Sequence, residues 1–225
     1  MLLAIDTATQ MMSIALHDGR NLLAEKTWHT ANNHTIELAP AINRLLEQSD
    51  VGIARLTALA VSIGPGSYSG LRVGVSLMKG LASARKLPLV GVSSLDTIAA
   101  AQPHYQGGLI AVVQAGRGRV TVGRYQWRKG RWSQRGEPQL MNWETLIASI
   151  DGAAHIAGEV DEQGHLTLGE AVENGLPVTL APAAFRLRRA GFLAEEAWER
   201  LKSGKEEFDA VHVAPIYVKT KDSPQ

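Results

Sequence analysis

Cysteine is absent from the 225-residue chain, which excludes disulfides, thiolate nucleophiles and cysteine zinc sites together. Aromatic residues are scarce at 5%, and no apolar run reaches the roughly 20 residues that a membrane-spanning helix needs. Asp6 interrupts the amino-terminal sequence before a signal-peptide hydrophobic stretch could form. These absences predict a cytoplasmic protein that does not contact the membrane.

Net charge is nearly absent as well, because 23 basic residues balance 22 acidic ones to give +1. The charges are nevertheless sorted along the chain. Seven basic residues and no acidic one lie between Tyr105 and Gly136, whereas the stretch from Glu137 to Phe185 holds eight acidic residues and no basic one. The total charge neither requires nor excludes a nucleic-acid partner, so the location of the basic residues has to decide.

Hydrophobic patterning predicts an α/β protein built twice from strand, hairpin and helix. The first half predicts strands at 2–7, 11–17, 21–28 and 56–64, a helix from Asn33 that contains Pro40, and a second helix after residue 67. The second half predicts a strand in "GLIAVVQAG", a hairpin turning at Lys129 and Gly130, a helix in "MNWETLIASI" and a last helix over 183–204. The linker "QPHYQGG" predicts two domains, residues 1–103 and 104–225, with the last helix packing back on the first domain.

The segment "IGPGSYSGLRVGVSLMKG" places a glycine-rich turn before a helix, an arrangement that often binds phosphate. No lysine follows the glycines as a Walker A loop requires, and Ser69 stands where the dinucleotide fingerprint needs its third glycine. Backbone amides and the Ser67 hydroxyl could still hold an anion. The alternative is close packing, since helix-interior glycines at 74 and 80 each cost roughly 1 kcal/mol relative to alanine. We favour packing.

The sequence "DTAT" ends the first strand, where Asp6 could hold a hydrated magnesium ion and Thr7 could bind a phosphate oxygen. A turn-forming aspartate is the alternative. His29 and His34 are five residues apart and so do not share one helical face, and no metal site is predicted. There is no G-x-S-x-G serine and no carboxylate pair set apart by its spacing, so hydrolytic catalysis has little support.

The basic segment 117–135 combines Arg117, Arg124 and Arg128 with Tyr125, Trp127 and Trp132. Guanidinium groups bind phosphates and aromatic rings stack on bases, so this hairpin could contact RNA. Basic residues also protect exposed edge strands from aggregation. The sequence leaves both interpretations open.

Five motifs occur in order along the chain: "LLAIDTAT", "NNHTIELAP", "GPGSYSGLRVGVSLMKGLA", "LPLVGVSSLD" and "APIYVK". Together they resemble the TsaB (YeaZ) family, the non-catalytic subunit of bacterial tRNA threonylcarbamoyladenosine (t6A) synthesis. The resemblance implies the actin-like ATPase (ASKHA) fold, in which two ribonuclease-H-like domains of mixed sheet are flanked by helices. It also implies a non-enzymatic role: binding and activating TsaD, which transfers threonylcarbamoyl to adenosine 37 of ANN-decoding tRNAs.

The resemblance further implies a partner interface made by the helices at 34–48 and 67–86, which would meet the matching pair of TsaD or, in a homodimer, of a second copy. The expected contacts are His34, Leu38, Ile42, Gly70, Val73, Gly74, Leu77, Met78 and Leu81. A vestigial phosphate loop is expected at Asp6, Thr7, Gly64, Pro65, Gly66 and Ser67. TsaE and, functionally, TsaC are further expected partners, with tRNA bound through the complex.

One departure from the family pattern concerns nucleotide binding. Gln114, Ala115 and Gly116 stand where family members carry Asp-Ala-Arg, so one of the two phosphate clamps lacks its acid. No cofactor is therefore expected in the isolated chain, and ATP, magnesium and a further metal are expected in TsaD. The alternatives left open are a free-standing actin-like ATPase or kinase, and an RNA-binding accessory protein that uses Arg117, Arg124 and Arg128.

Overall fold

The computed structural model describes residues 1–31, 33–204 and 208–218. The chain forms two compact units, one of residues 1–97 with 188–216 and one of residues 98–187 with the described residues from Tyr217 onward. The first unit ends at Thr97, short of the predicted boundary at 103/104, and it also includes residues 188–216. The reason is that the last long helix packs on the first sheet.

Strands and helices alternate as the periodicity predicts, although several bounds differ. The strands are β1 (Leu2–Asp6), β2 (Met11–His17), β3 (Leu22–His29), β4 (Ala58–Gly64), β5 (Leu89–Ser93), β6 (Gly108–Gln114), β7 (Arg119–Arg128), β8 (Arg131–Gln134), β9 (Gln139–Asn142), β10 (Ala154–Gly158) and β11 (Val178–Leu180). The helices are α1 (His34–Gln48), α2 (Tyr68–Arg85), α3 (Ser94–Ala100), α4 (Trp143–Ala148), α5 (Glu162–Glu173) and α6 (Ala190–Ser203). Within the described residues, no helix is both long enough and apolar enough to cross a bilayer.

The two units share one sheet topology. In the first unit the strand order is β3-β2-β1-β4-β5, with β2 and β3 antiparallel and β4 and β5 parallel to their neighbours. In the second unit the order is β11-β10-β6-β7-β8, again with an antiparallel hairpin on one side of the first strand and parallel strands on the other. The predicted duplication of strand, hairpin and helix is therefore a duplication of topology.

β1, the central strand of the first sheet, is buried on both faces. Successive strand residues point in opposite directions, so its side chains enter two separate cores. Leu3 and Ile5 of β1 belong to a core that includes α1 and α2. Leu2 and Ala4 belong to a second core completed by Ala190, Leu193, Ala194 and Ala197 of α6. Since β1 is covered on both sides, its near-continuous apolar sequence is typical of a central strand.

Two helix predictions need correction. The last helix begins at Ala190 and not at 183, because residues 186–189 pass in front of it and Arg189 has an extended backbone. A proline inside a helix is expected to bend it or to delay its regular part, yet α1 runs unbroken from His34 to Gln48 through Pro40, so its regular part is not delayed. Pro40 lies on the exposed side of the helix, where water can bind the carbonyl that loses its backbone donor.

The second unit is organised around Trp143, which is fully buried beneath the β6–β7–β10 sheet. The indole Nε1 donates to Asp161 Oδ1 over 2.8 Å, and the same oxygen accepts from the Gly164 amide at the start of α5. A Cβ atom at Gly164 would overlap the Trp143 ring. Residues 137–182 thus build most of the helical layer of the second unit.

Two glycines of α2 should respond oppositely to the same small change. A Cβ atom at Gly74 would overlap Thr7 Oγ1, whereas a Cβ atom at Gly80 has open space around it. We expect Gly74→Ala to lower the free energy of unfolding by about 1–3 kcal/mol through overpacking. Gly80→Ala should raise it by up to about 1 kcal/mol, since alanine favours a helix interior.

Urea unfolding of the two variants and the unchanged chain measures both effects. If Gly74→Ala is as stable as Gly80→Ala, the close approach of Thr7 to α2 is not the reason for the glycine.

Candidate functional site

The turn after β1 and the glycine loop after β4 meet through their backbones. The Ser67 amide donates to the Ala8 carbonyl over 2.6 Å, and a Cβ atom at Gly66 would overlap that same carbonyl. Gly64 has a φ of +103°, which favours glycine, and the Gly64–Pro65 peptide bond is cis. The predicted phosphate-loop residues are thus brought together, with Ala8 packed against the loop.

α2 packs directly on this turn. Ser67 caps the helix by accepting from the Gly70 amide, and the Thr7 hydroxyl donates to the Gly70 carbonyl over 2.8 Å. A Cβ atom at Gly70 would overlap the Thr7 carbonyl, and one at Gly74 would overlap the Thr7 hydroxyl. Close packing was the favoured interpretation of these glycines, but the element that approaches them is the β1 turn of the same unit and not a helix of another chain.

Asp6 is fully buried and holds two contacts of its own chain. Its Oδ1 accepts from the Ala8 amide at 2.8 Å, and its Oδ2 accepts from Arg188 Nε at 3.2 Å. Arg188 is only 1% exposed, and its Nη2 also donates to Thr9 Oγ1. A guanidinium group therefore lies against the carboxylate that was expected to face a magnesium ion.

The start of α6 is anchored beside this ion pair. Ser13, opposite Asp6 in the β1–β2 ladder, accepts from the Ala190 amide at 2.8 Å. Glu25 accepts from the Gly191 amide at 2.7 Å and pairs with the Arg189 guanidinium. Two of the amides that a helix start leaves unpaired are satisfied in this way.

The residues around Asp6 do not fit a magnesium–nucleotide site. Magnesium needs near-octahedral oxygen ligands and usually keeps several waters. Here both carboxylate oxygens have protein donors, and the neighbouring cation is Arg188. In the second unit Gln114 ends β6, its amide Nε2 is buried without a partner among the described residues, and its backbone N–H donates to Glu159.

Six of the nine expected partner contacts lie inside the first unit. His34, Leu38, Ile42, Gly70, Gly74 and Met78 are buried. The physical reason is that they form the inward faces of α1 and α2, where His34 Nε2 contacts the Thr9 carbonyl at 2.9 Å and the apolar residues pack on the sheet. The remaining three, Val73, Leu77 and Leu81, reach the surface, with Leu77 37% exposed.

A stripe of uncharged residues runs along the outward side of α2, with the exposed Arg72 beside it. We define the outer stripe of α2 as Ser69, Val73, Ser76, Leu77, Gly80 and Ala84. Gly80 lies six residues from Gly74, which places it about 120° away around the helix, on the exposed side. The sequence interpretation grouped Gly80 with Gly74, although this rotation could have separated them.

The first turn of α1 is fixed by a carboxylate. Glu37 accepts from the Trp28 indole at 2.7 Å and from the Thr30 hydroxyl at 3.0 Å. These hydrogen bonds, that from Trp28 above all, hold the pKa of Glu37 below its usual value. Ile36, one residue earlier, is 72% exposed, so the start of α1 also presents apolar surface.

The three arginines proposed for RNA do not form one group. Arg117 lies in the loop before β7, whereas Arg128 ends that strand, so at about 3.3 Å per residue they are roughly 30 Å apart. Arg124 and Arg128 share one face of β7 because they are four residues apart. Among the described residues, no three His, Asp or Glu side chains come together in a way that could hold a metal ion.

A family model described as TsaD, tRNA N6-adenosine threonylcarbamoyltransferase, matches residues 22–185. The tRNA threonylcarbamoyladenosine biosynthesis protein TsaB of Bacillus subtilis is 32% identical over 227 residues, which cover 99% of this chain and 95% of that protein. The chain belongs to the TsaB (YeaZ) family.

Solved structures agree with this TsaB assignment. YeaZ from Pseudomonas aeruginosa matches with a TM-score of 0.73 at 26% identity, covering 96% of this chain and 99% of that one. The ROK hexokinase from Thermus thermophilus matches with a TM-score of 0.51 at 15% identity, covering 90% of this chain and 99% of that one, a likeness of fold alone. The predicted fold class, two mixed sheets flanked by helices in the actin-like ATPase fold, is confirmed.

Removal of the Arg188 guanidinium should leave the Asp6 carboxylate buried without its cation. We expect Arg188→Met to lower the free energy of unfolding by about 3–5 kcal/mol, the usual cost of breaking a buried ion pair. Adding Asp6→Asn to the same protein should recover part of that loss. Urea unfolding of the single and double variants measures the coupling.

Arg189→Met is the matched control, because the Arg189 side chain is 43% exposed in its pair with Glu25. It should cost clearly less than Arg188→Met. A loss below about 1 kcal/mol for Arg188→Met, or no recovery in the double variant, would contradict a buried charge pair at this site.

Proposed function

We propose that this TsaB-family chain is a non-catalytic subunit of t6A biosynthesis that binds and activates TsaD. TsaD then transfers threonylcarbamoyl to adenosine 37 of ANN-decoding tRNAs. Support comes from the curated TsaB relative, which is named for t6A biosynthesis and matches along nearly its whole length. The match to the TsaD model over residues 22–185 also supports a partner of the same fold.

The observation that carries the non-catalytic role is the ion pair between Asp6 and Arg188. Catalysis of phosphoryl transfer in this fold depends on metal-held phosphates, and the protein supplies charge and position. Here the carboxylate is neutralised by a guanidinium of its own unit and has both oxygens engaged. Gln114 offers an amide in the second unit where the family pattern has an acid. Neither unit supplies a free carboxylate at these two positions.

The outer stripe of α2 is the surface that we assign to the partner. An 18-residue helix with an uncharged, partly apolar stripe is suited to helix packing, because small residues let a second helix approach closely. Val73 and Leu77 supply apolar contact area. Gly80, between Leu77 and Ala84, is the point where a partner helix can approach most closely. Ile36 at the start of α1, which is 72% exposed, offers a further apolar contact.

The wider assembly follows from the same proposal. TsaE joins the complex, TsaC supplies a functional link, and tRNA is bound through the assembly in the cytoplasm. ATP, magnesium and metal belong to TsaD, and the isolated chain forms a homodimer through the same helical surface. The outer stripe of α2 therefore binds either TsaD or a second copy of this chain, but not both at once.

The docking assignment is tested by a side chain placed at Gly80. Gly80→Leu points into open space, so it should leave the fold intact and slightly raise its stability. We expect it to weaken binding to TsaD at least about tenfold and to reduce threonylcarbamoyl transfer in a mixture of TsaC, TsaD, TsaE and tRNA. Gly169→Leu in α5 is the matched control, since it too is an exposed helical glycine with nothing nearby.

Wild-type TsaD affinity for a folded Gly80→Leu protein would refute the docking surface. Full transfer in the same mixture without this chain would refute the activating role itself.

The non-catalytic role is tested by calorimetric titration of the isolated chain with Mg-ATP. We expect no saturable binding up to millimolar nucleotide, because the Asp6 carboxylate is paired with Arg188. Micromolar binding or ATP turnover by the chain alone would instead support a free-standing actin-like ATPase or kinase.

A further inference from the structure

The hairpin of β7 and β8 concentrates arginines on one face. Arg124 and Arg128 point to the same side of β7, and Arg131 of β8 lies directly opposite Arg128 in the antiparallel ladder. The Arg135 amide donates to the Arg124 carbonyl at 2.7 Å, which brings a fourth arginine beside the first. Lys129 stands in the turn between the strands. The chain therefore sets like charges side by side across the ladder.

No carboxylate of the described residues forms an ion pair with Arg124, Arg128 or Arg131. Arg124 donates to the neutral Ser149 hydroxyl at 2.6 Å. Like charges directly opposite each other destabilise a sheet. An external anion that binds between them would relieve this repulsion, so the face is complementary to a polyanion.

Protection of an edge strand explains only part of this pattern. β8 is the edge of the second sheet, so Arg131 and Lys129 fit such a role. Arg124 does not, because it pairs with Ile110 of β6 on one side and bonds Arg135 on the other, inside the sheet. Edge protection therefore does not explain the charge of Arg124, which belongs to the arginine face of β7.

The opposite face of the same hairpin carries aromatic rings. Trp127 and Trp132 are cross-strand partners with ring centroids 5.3 Å apart, in an edge-to-face arrangement. His104 lies 4.9 Å from Trp127, and the Trp132 indole donates to the Pro103 carbonyl at 3.1 Å. Trp132 is thereby held in place, whereas Trp127 stays 36% exposed on a rigid support. Such a ring is suited to stacking with an unpaired base.

We propose that the β7–β8 hairpin is an RNA-binding surface. Arg124, Arg128 and Arg131 contact successive phosphates on one face of the hairpin. The RNA strand then passes around the hairpin tip, so that Trp127 on the opposite face stacks on a splayed base. Arg117 is not part of this surface, because it lies at the other end of β7. That the RNA is a tRNA rests on the proposed function, whereas the assignment of the hairpin to RNA does not.

The test measures binding of the full chain to a fluorescent transcript of an ANN-decoding tRNA over a series of salt concentrations. Replacing Arg124, Arg128 and Arg131 together by glutamine should weaken binding at least about tenfold at low salt. The slope of log affinity against log salt should fall by about 2, as expected for three lost phosphate contacts at about 0.7 each. The matched control replaces Arg20, Arg55 and Arg117, three exposed arginines elsewhere, and should change affinity less than about twofold.

Trp127→Leu should lower affinity while leaving the salt slope unchanged, since it removes stacking and no charge. If the triple variant proves unstable in urea, the Arg128→Gln, Arg131→Gln pair, which spares the half-buried Arg124, gives the same comparison with a slope change of about 1.4.

Unchanged RNA affinity in the triple variant, or an equal loss in the control, would overturn the proposal. Competition by polyglutamate as effective as that by RNA would also overturn it, because the face would then be a general anion or acidic-protein site. Two further measurements distinguish failure of this proposal from failure of the proposed function. The hairpin variants should bind TsaD as the unchanged chain does, and Gly80→Leu should bind RNA as the unchanged chain does.

Discussion

One buried ion pair organises the first unit. Asp6 ends the central strand and Arg188 precedes α6, so their contact fixes where the returning chain meets the sheet. Both charges are nearly inaccessible to water, and such a pair is stable only when the remaining donors and acceptors are also satisfied. The Ala8 amide and the Thr9 hydroxyl meet this requirement, and Ser13 and Glu25 then receive the first amides of α6.

The β1 turn that follows Asp6 limits what the glycine loop can bind. A loop of this kind followed by a helix is suited to anions, yet here the β1 turn fills the space against Gly66, Gly70 and Gly74. The inward Gly70 and Gly74 are therefore required by packing within the unit, whereas nothing in the unit packs against the outward Gly80. One helix thus separates a structural side from a side available to another molecule.

The sequence was sufficient for what depends on local periodicity. The strands β1 to β4, the start of α2 after residue 67 and the β7–β8 turn at Lys129 and Gly130 follow from hydrophobic patterning and turn chemistry. Arg188 could not be found in this way, because its partner is 182 residues away and only the fold brings them together. The start of α6 was predicted too early because "FRLRRA" suits a helix locally, whereas Arg188 and Arg189 are drawn into contacts with Asp6 and Glu25.

The return of α6 to the first sheet has a consequence for synthesis. Leu2, Ala4 and Ala15 present one apolar face of that sheet, and their cover comes from Ala190 to Ala197. A ribosome must therefore translate the entire second unit before this face can be shielded. The core of the second unit lies within residues 110–180, so it can close before α6 is made, and the order of completion is reversed relative to the order of translation.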